Sequence, residues 1–279
     1  EKQRIIGSEK ITYINNSPDE LTYIWLQLDQ NNRKKDSETY SGAANSIGEK
    51  HTKNQVLNMM GNPQLEAGYN ITKLTDASGK ALKYTINHTM MRVELPKPIK
   101  KGETFIFNVD WNYNITDRMV IGDRGGYEYF KEEGNYIYTI TQWFPRMVVY
   151  TDYTGWQHKQ FLGSGEFTLN FGDYVMNITA PEDLMIASTG ELQNPKDVLS
   201  AEQIKRFELA KTATKPVKIV TLDEAKSNES SRSKKKKTWV FKADNVRDVA
   251  FGASRKFVWD AMGVKFGDRT VMAMSYFPK

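Results

Sequence analysis

The chain has 279 residues, is 39% hydrophobic and 12% aromatic, and carries a formal net charge of +5. That is enough apolar material for a sizeable core, and a charged fraction of 26% lies near the globular average, which excludes global disorder. There is no cysteine, so disulfides, thiolate zinc sites, iron–sulfur clusters and cysteine nucleophiles are excluded as well.

No apolar run reaches the roughly 18 residues that a membrane helix needs, so no membrane span is expected. The opening EKQRIIGSEKITYINNS has no apolar signal-peptide centre and already alternates from GSEKITYINN, as expected of a mature chain trimmed at its front. ITYINNSPDELTYIWLQLDQN predicts two strands around an SPDE turn, with LTYIWLQL alternating at period two. The polar stretch from Tyr40 to Gly61 reads as a surface excursion with a short helix over 53–60. Three more strands follow in ALKYTINHTMMRVELPKPIKKGETFIFNVDWNYNI, where Met91, Val93 and Leu95, then Phe105, Phe107, Val109 and Trp111, share faces. NYIYTITQWFP, GEFTLNFG and YVMNITAPEDLMIASTGE continue the pattern to about residue 191.

The segment 192–237 breaks it and reads as an insertion. NPKDVLSAEQIKRFELAK places Ser200 at a helix N-cap with Ile204, Phe207 and Leu209 on the apolar face. TLDEAKSNESSRSKKKK then reads as a helical stub trailing into a flexible basic loop. Strand character returns at KTWVFKADNVRDVAFGASRKFVWDAM, and residues 260–279 read as the start of a linker. The fold expected is all-β: a curved, saddle-like antiparallel β-sandwich over 1–279 with one helical insertion.

Self-contained chemistry is hard to find. The three histidines, His51, His88 and His158, lie far apart and in no metal-binding spacing. GSGEF (163–167) precedes a strand, so it cannot form the strand-to-helix turn that exposes a nucleophilic serine. GDRGGYEYF (122–130) lacks the following helix that a phosphate cradle requires and reads as a hairpin tip. The six N-x-[S/T] sites, at Asn15, Asn70, Asn87, Asn114, Asn177 and Asn228, read as strand edges and turns. The SRSKKKK run has no interleaved aromatics, so no nucleic-acid partner is expected. Exposed Trp111, Trp143 and Trp156 would instead suit a stand-alone carbohydrate- or protein-binding sandwich, the alternative reading.

TQWFPRMVVYTD…GWQHKQFLGSGEFTLNFGDYVMNITAPEDLMIASTGEL resembles the N-terminal domain of the aminopeptidase N family of zinc metallopeptidases. The counterparts of that family's pattern are Thr141–Gln142, Arg146, Asp152, 165–171, Ala180–Pro181 and 187–190. The start GSEKITYINNSPDELTYIWLQLD and the end FKADNVRDVAFGASRKFVW resemble the segments that open and close that domain. The resemblance implies a non-catalytic domain that forms one wall of a peptide cleft and packs on a catalytic domain. The family's G-x-M-E-N and H-E-x-x-H zinc machinery lies downstream and is absent here, so zinc is expected only in that missing domain and none in this fragment.

In the family a Gln or Glu two residues beyond the T-Q glutamine holds the substrate's free α-amino group. Phe144 stands there and cannot accept a hydrogen bond. The resemblance therefore leaves Gln142 as the substrate-facing acceptor, with Trp143 and Phe144 as apolar walls. Met147–Tyr150 reads as core, and Arg146 and Asp152 as residues that fix strand ends. A bacterial periplasmic or cell-envelope location is expected from the same resemblance.

Overall fold

The computed structural model describes residues 3–34, 36–38, 50, 52, 53, 56, 66–121, 124–162 and 168–279. The expected helix over 53–60, His51 and the GSGEF turn lie wholly or mostly outside these residues. The chain divides into two compact units, where the sequence predicts one domain over 1–279. One unit comprises Glu1–Thr116, Val120–Gly122 and Gln142–Asn170; the other comprises Asp117–Met119, Asp123–Thr141 and Phe171–Lys279. Both are built on antiparallel strands, so the protein is all-β in class.

The strands in chain order begin with β1 (Arg4–Ile14), β2 (Leu21–Gln27), β3 (Asn70–Asp76), β4 (Tyr84–Asn87), β5 (Met90–Ile99) and β6 (Thr104–Asn114). Next come β7 (Gly126–Phe130), β8 (Asn135–Ile140), β9 (Arg146–Met147), β10 (Tyr150–Thr151) and β11 (Gly155–Trp156). The remainder are β12 (Gly172–Pro181), β13 (Met185–Ser188), β14 (Glu191–Leu192), β15 (Val217–Val220), β16 (Lys236–Val246), β17 (Phe251–Ser254), β18 (Phe257–Phe266) and β19 (Arg269–Pro278).

In the first unit one sheet has the order β1-β6-β3 and another β4-β5-β2-β9, with the small β10-β11 ribbon beside them. The period-two alternation of β6 buries Phe107, Val109, Trp111 and Tyr113, and Ile24 and Leu26 of β2 and Met91 and Val93 of β5 are buried as well. Gly7 of β1 sits opposite Trp111, and a Cβ there would lie 2.4 Å from the indole. Only glycine lets that ring lie flat on the strand.

In the second unit the sheet orders are β12-β16-β14, β13-β17-β8-β7 and β15-β18-β19. In the Gly-rich stretch 122–130, expected to be a hairpin tip, Gly126–Phe130 is instead the strand β7, paired to β8 from Gly126↔Thr139 to Phe130↔Asn135, and the tip is the turn at 131–134. The 192–237 segment contains the expected helix, Ala201–Ala210, whose Ser200 side chain accepts from the Gln203 N–H in a full capping box. A second box, from Thr221 and Glu224, starts the helix Leu222–Ser230.

Four expectations need correction here. The insertion is not purely helical, because β15 pairs with β18. Leu209 is 59% exposed, since at about 100° per residue the face of Ile204 and Phe207 continues to Ala210, which is fully buried. The basic run is not a free loop: Lys236 and Lys237 belong to β16, and the Lys237 ammonium donates to the Val198 carbonyl at 2.7 Å and lies 5.0 Å from the Trp239 ring centre. Burial lowers the pKa of that ammonium. Residues 260–279 are no linker either; β18 and β19 pair without a break from Phe257↔Pro278 to Phe266↔Arg269.

Candidate functional site

The T-Q segment leaves β8 at Ile140 and re-enters a sheet at β9, where Arg146 pairs with Gln27 of β2. Between them Gln142 adopts φ 51°, the left-handed region that residues with a Cβ rarely occupy. Two side chains hold it there. The Tyr69 hydroxyl donates to the Gln142 carbonyl at 3.0 Å, and the Gln30 amide donates to the same oxygen at 2.9 Å. The side chain of Gln142 is only partly buried and makes no hydrogen bond to the described residues.

The donors come from a polar turn that follows directly on an apolar strand. After β2 the chain enters a 3₁₀ turn, Asp29–Arg33, whose Asp29, Gln30, Asn31 and Arg33 are all buried. Buried polar groups must be paired, and these are. Gln30 accepts from Arg33 through its Oε1, which leaves its Nε2 as the donating end toward Gln142. Asn31 accepts from the Tyr69 N–H at 2.8 Å and donates to the His88 carbonyl at 2.7 Å. Asp29 accepts from Gln27 at 2.6 Å and from Nε and Nη2 of Arg146 at 3.0 and 2.5 Å. Asp29 and Arg146 are 1% and 5% exposed, so this is a buried, hydrogen-bonded ion pair.

The phenol of Tyr69 is held as a donor. Burial pushes its pKa well up, the neighbouring Tyr113 and Asp29 add to this, Arg146 opposes it and Glu9 adds a little more. Glu9, on the inward face of β1, has an enclosed Oε1 without a partner among the described residues, and desolvation raises its carboxyl well above the ordinary range.

The other expected site residues divide. Trp143 is half-buried, with its ring 6.3 Å from Trp111 and 5.2 Å from Phe144. Phe144, expected as an apolar wall facing substrate, is 5% exposed and belongs to the core. Arg146 fixes a strand end as expected, through Asp29. Asp152 does not: it is exposed in the β10–β11 turn and makes no hydrogen bond or ion pair with the described residues. The aromatic platform of the alternative reading loses Trp111 and Trp156, at 2% and 7% exposure.

His158 stacks on Trp25 with centroids 4.8 Å apart, and His88 occupies the β4–β5 turn at φ 48°. Among the described residues no group of three or more His, Cys, Asp or Glu side chains gathers as a metal site would require. Nor is any helix of the described residues long and apolar enough to cross a membrane. Sequence reasoning missed Tyr69, Gln30 and Asp29. The available signal was the run DQNNR placed directly after an apolar strand.

No family model matches the chain, and no curated protein matches it. Among solved structures it is similar to the M1 zinc metallopeptidase of Deinococcus radiodurans, at 12% identity and a TM-score of 0.49 over 99% of this chain and 43% of that one. A mutant of that protein bound to a Tyr-Ser-Ala substrate gives the same identity and TM-score, over 44% of its length. A two-domain M1 zinc metallopeptidase mutant bound to L-tryptophan matches at 12% identity and a TM-score of 0.48. The chain thus spans less than half the length of these structures.

Proposed function

We propose that this chain is the non-catalytic N-terminal domain of an aminopeptidase N-like zinc metallopeptidase that removes residues from the free N-termini of peptides. It forms one wall of the substrate cleft and packs on a catalytic domain that carries the zinc. The partners on this reading are that domain and the substrate's N-terminus, in a bacterial periplasm or cell envelope. The reading starts from the resemblance around TQWFPR, and one structural observation supports it most. At Gln142 the backbone is strained and tethered while the side-chain amide is left uncommitted among the described residues, as expected where an acceptor is displayed to a ligand. The Gln142 amide carbonyl would accept from the substrate's ammonium group, with Trp143 beside it.

The test is direct. The coding sequence beyond Lys279 should contain H-E-x-x-H, and an unrelated domain there would refute the reading. The purified chain should neither bind zinc nor hydrolyse an aminoacyl amide, and chelator-sensitive hydrolysis by it would equally overturn the assignment.

A further inference from the structure

We propose that Tyr69 and Gln30 are positioning residues for Gln142: together they hold its backbone left-handed and thereby aim its side-chain amide. The inference rests on Gln142 being the substrate-facing acceptor and names what sets its direction.

Three observations carry it. A glutamine at φ 51° does not choose that conformation, because its Cβ crowds the backbone there and only surrounding contacts can keep it. Both tethers act on one atom, the Gln142 carbonyl oxygen, at 3.0 and 2.9 Å, and so occupy both of its lone pairs. Each tether is also fixed from behind. Gln30 cannot turn its amide round, because its Oε1 is committed to Arg33, whose guanidinium also reaches Thr116 at 3.4 Å. Tyr69 is buried beside Tyr113, with ring centroids 5.4 Å apart, and its own N–H is bound by Asn31. Its phenol keeps its proton through neutral pH, since burial and neighbouring groups push its pKa upward.

Rotating a residue between the extended and left-handed regions redirects its Cα–Cβ bond. A carbonyl held from one side therefore determines where the side chain on the other side points. A merely structural tyrosine, donating to whatever carbonyl lies near, would leave the conformation at residue 142 unchanged when its hydroxyl is removed.

The experiment has two arms. In the first, the 279-residue chain is examined by NMR, using the three-bond amide–Hα coupling and the Cα and Cβ shifts of residue 142 to report φ. Tyr69→Phe, and Gln30→Glu as a donor-removing variant of similar shape, should each convert Gln142 to negative φ. Adding Gln142→Asn to Tyr69→Phe should restore the left-handed state, because Asn tolerates it unaided. Retention of positive φ in both single variants, with only a lowered melting temperature, overturns the proposal.

The second arm uses the intact peptidase. Tyr69→Phe should raise KM about tenfold with kcat within about twofold, as when uniform substrate binding is lost. Gln142→Ala should do the same, and the double variant no more than either alone. If Gln142→Ala leaves KM unchanged, the functional reading of Gln142 fails while the conformational arm still decides this proposal. If Gln142→Ala raises KM and Tyr69→Phe does not, the reading stands and the positioning role falls.

Discussion

The substitution that most directly tests how the candidate site is held is Arg146→Met. Arg146 donates through Nε and Nη2 to Oδ2 of Asp29, both residues are essentially out of water, and Gln27 holds the other carboxylate oxygen at 2.6 Å. Removing the guanidinium leaves Asp29 as a buried charge without its cationic partner, and breaking such a pair costs about 3–5 kcal/mol. At about 2–4 °C per kcal/mol for a unit of this size, the melting temperature should fall by roughly 6–20 °C. Replacing both partners, as Asp29→Leu with Arg146→Met, removes the stranded charge and should recover most of the loss, because apolar replacements of buried pairs are often neutral. Urea unfolding followed by circular dichroism gives the free energies, and the four-member cycle gives the coupling. A loss below about 1 kcal/mol in the single variant, or a double variant as unstable as the sum of the singles, would refute the reasoning.

Three further outcomes are expected. Glu9→Gln should stabilise the chain at neutral pH. The folded-state pKa of Glu9 lies above its ordinary 4.5, so the native state holds the proton longer and stability falls as pH rises from about that value. Melting temperatures measured across pH 4–8 should show a shallower decline in the variant, and an unchanged slope contradicts the burial argument. Glu229→Gln should act in the opposite sense. Burial alone would raise the Glu229 carboxyl, but hydrogen bonds from Lys256 and Lys279 together hold it below 4.5. The stability it contributes is present above pH 4.5 and lost as pH falls through the lower folded value, so the variant should cost most near neutrality and least in acid. Ser200→Ala removes one half of a capping box and should cost about 1 kcal/mol in urea unfolding, with Ser200→Asp restoring most of it.

Local patterns carried the sequence reading as far as local physics reaches. Alternation at Phe105, Phe107, Val109 and Trp111 marked β6, and Ser200 ahead of the spacing of Ile204 and Phe207 marked a helix start, because both signals lie within a few residues. The failures share a cause. Leu209 looked inward because it is apolar, but helical geometry assigns that place to Ala210. Lys237 looked solvated because it is charged, yet its stem has an indole to lie on and its ammonium a carbonyl to bind.

The site was legible only as a position. Gln142 could be singled out only through the resemblance of the residues around it to a known family, but its conformation depends on Tyr69, 73 residues earlier, and on Gln30, 112 residues earlier. The Asp29–Arg146 pair spans 117 residues. Such contacts leave no periodic trace. What the sequence does show is an oddity, DQNNR immediately after LTYIWLQL, where a strand leaving the core would ordinarily turn to solvent. A buried run of that polarity is stable only if its buried side chains find partners. Asp29, Gln30, Asn31 and Arg33 find theirs in Arg146, Thr116, His88, Tyr69 and Gln142 itself, while the Oδ1 of the half-buried Asn32 has none among the described residues. The polar turn therefore does for residue 142 what glycine would do elsewhere: it makes a left-handed backbone tenable, while keeping a side chain that glycine lacks.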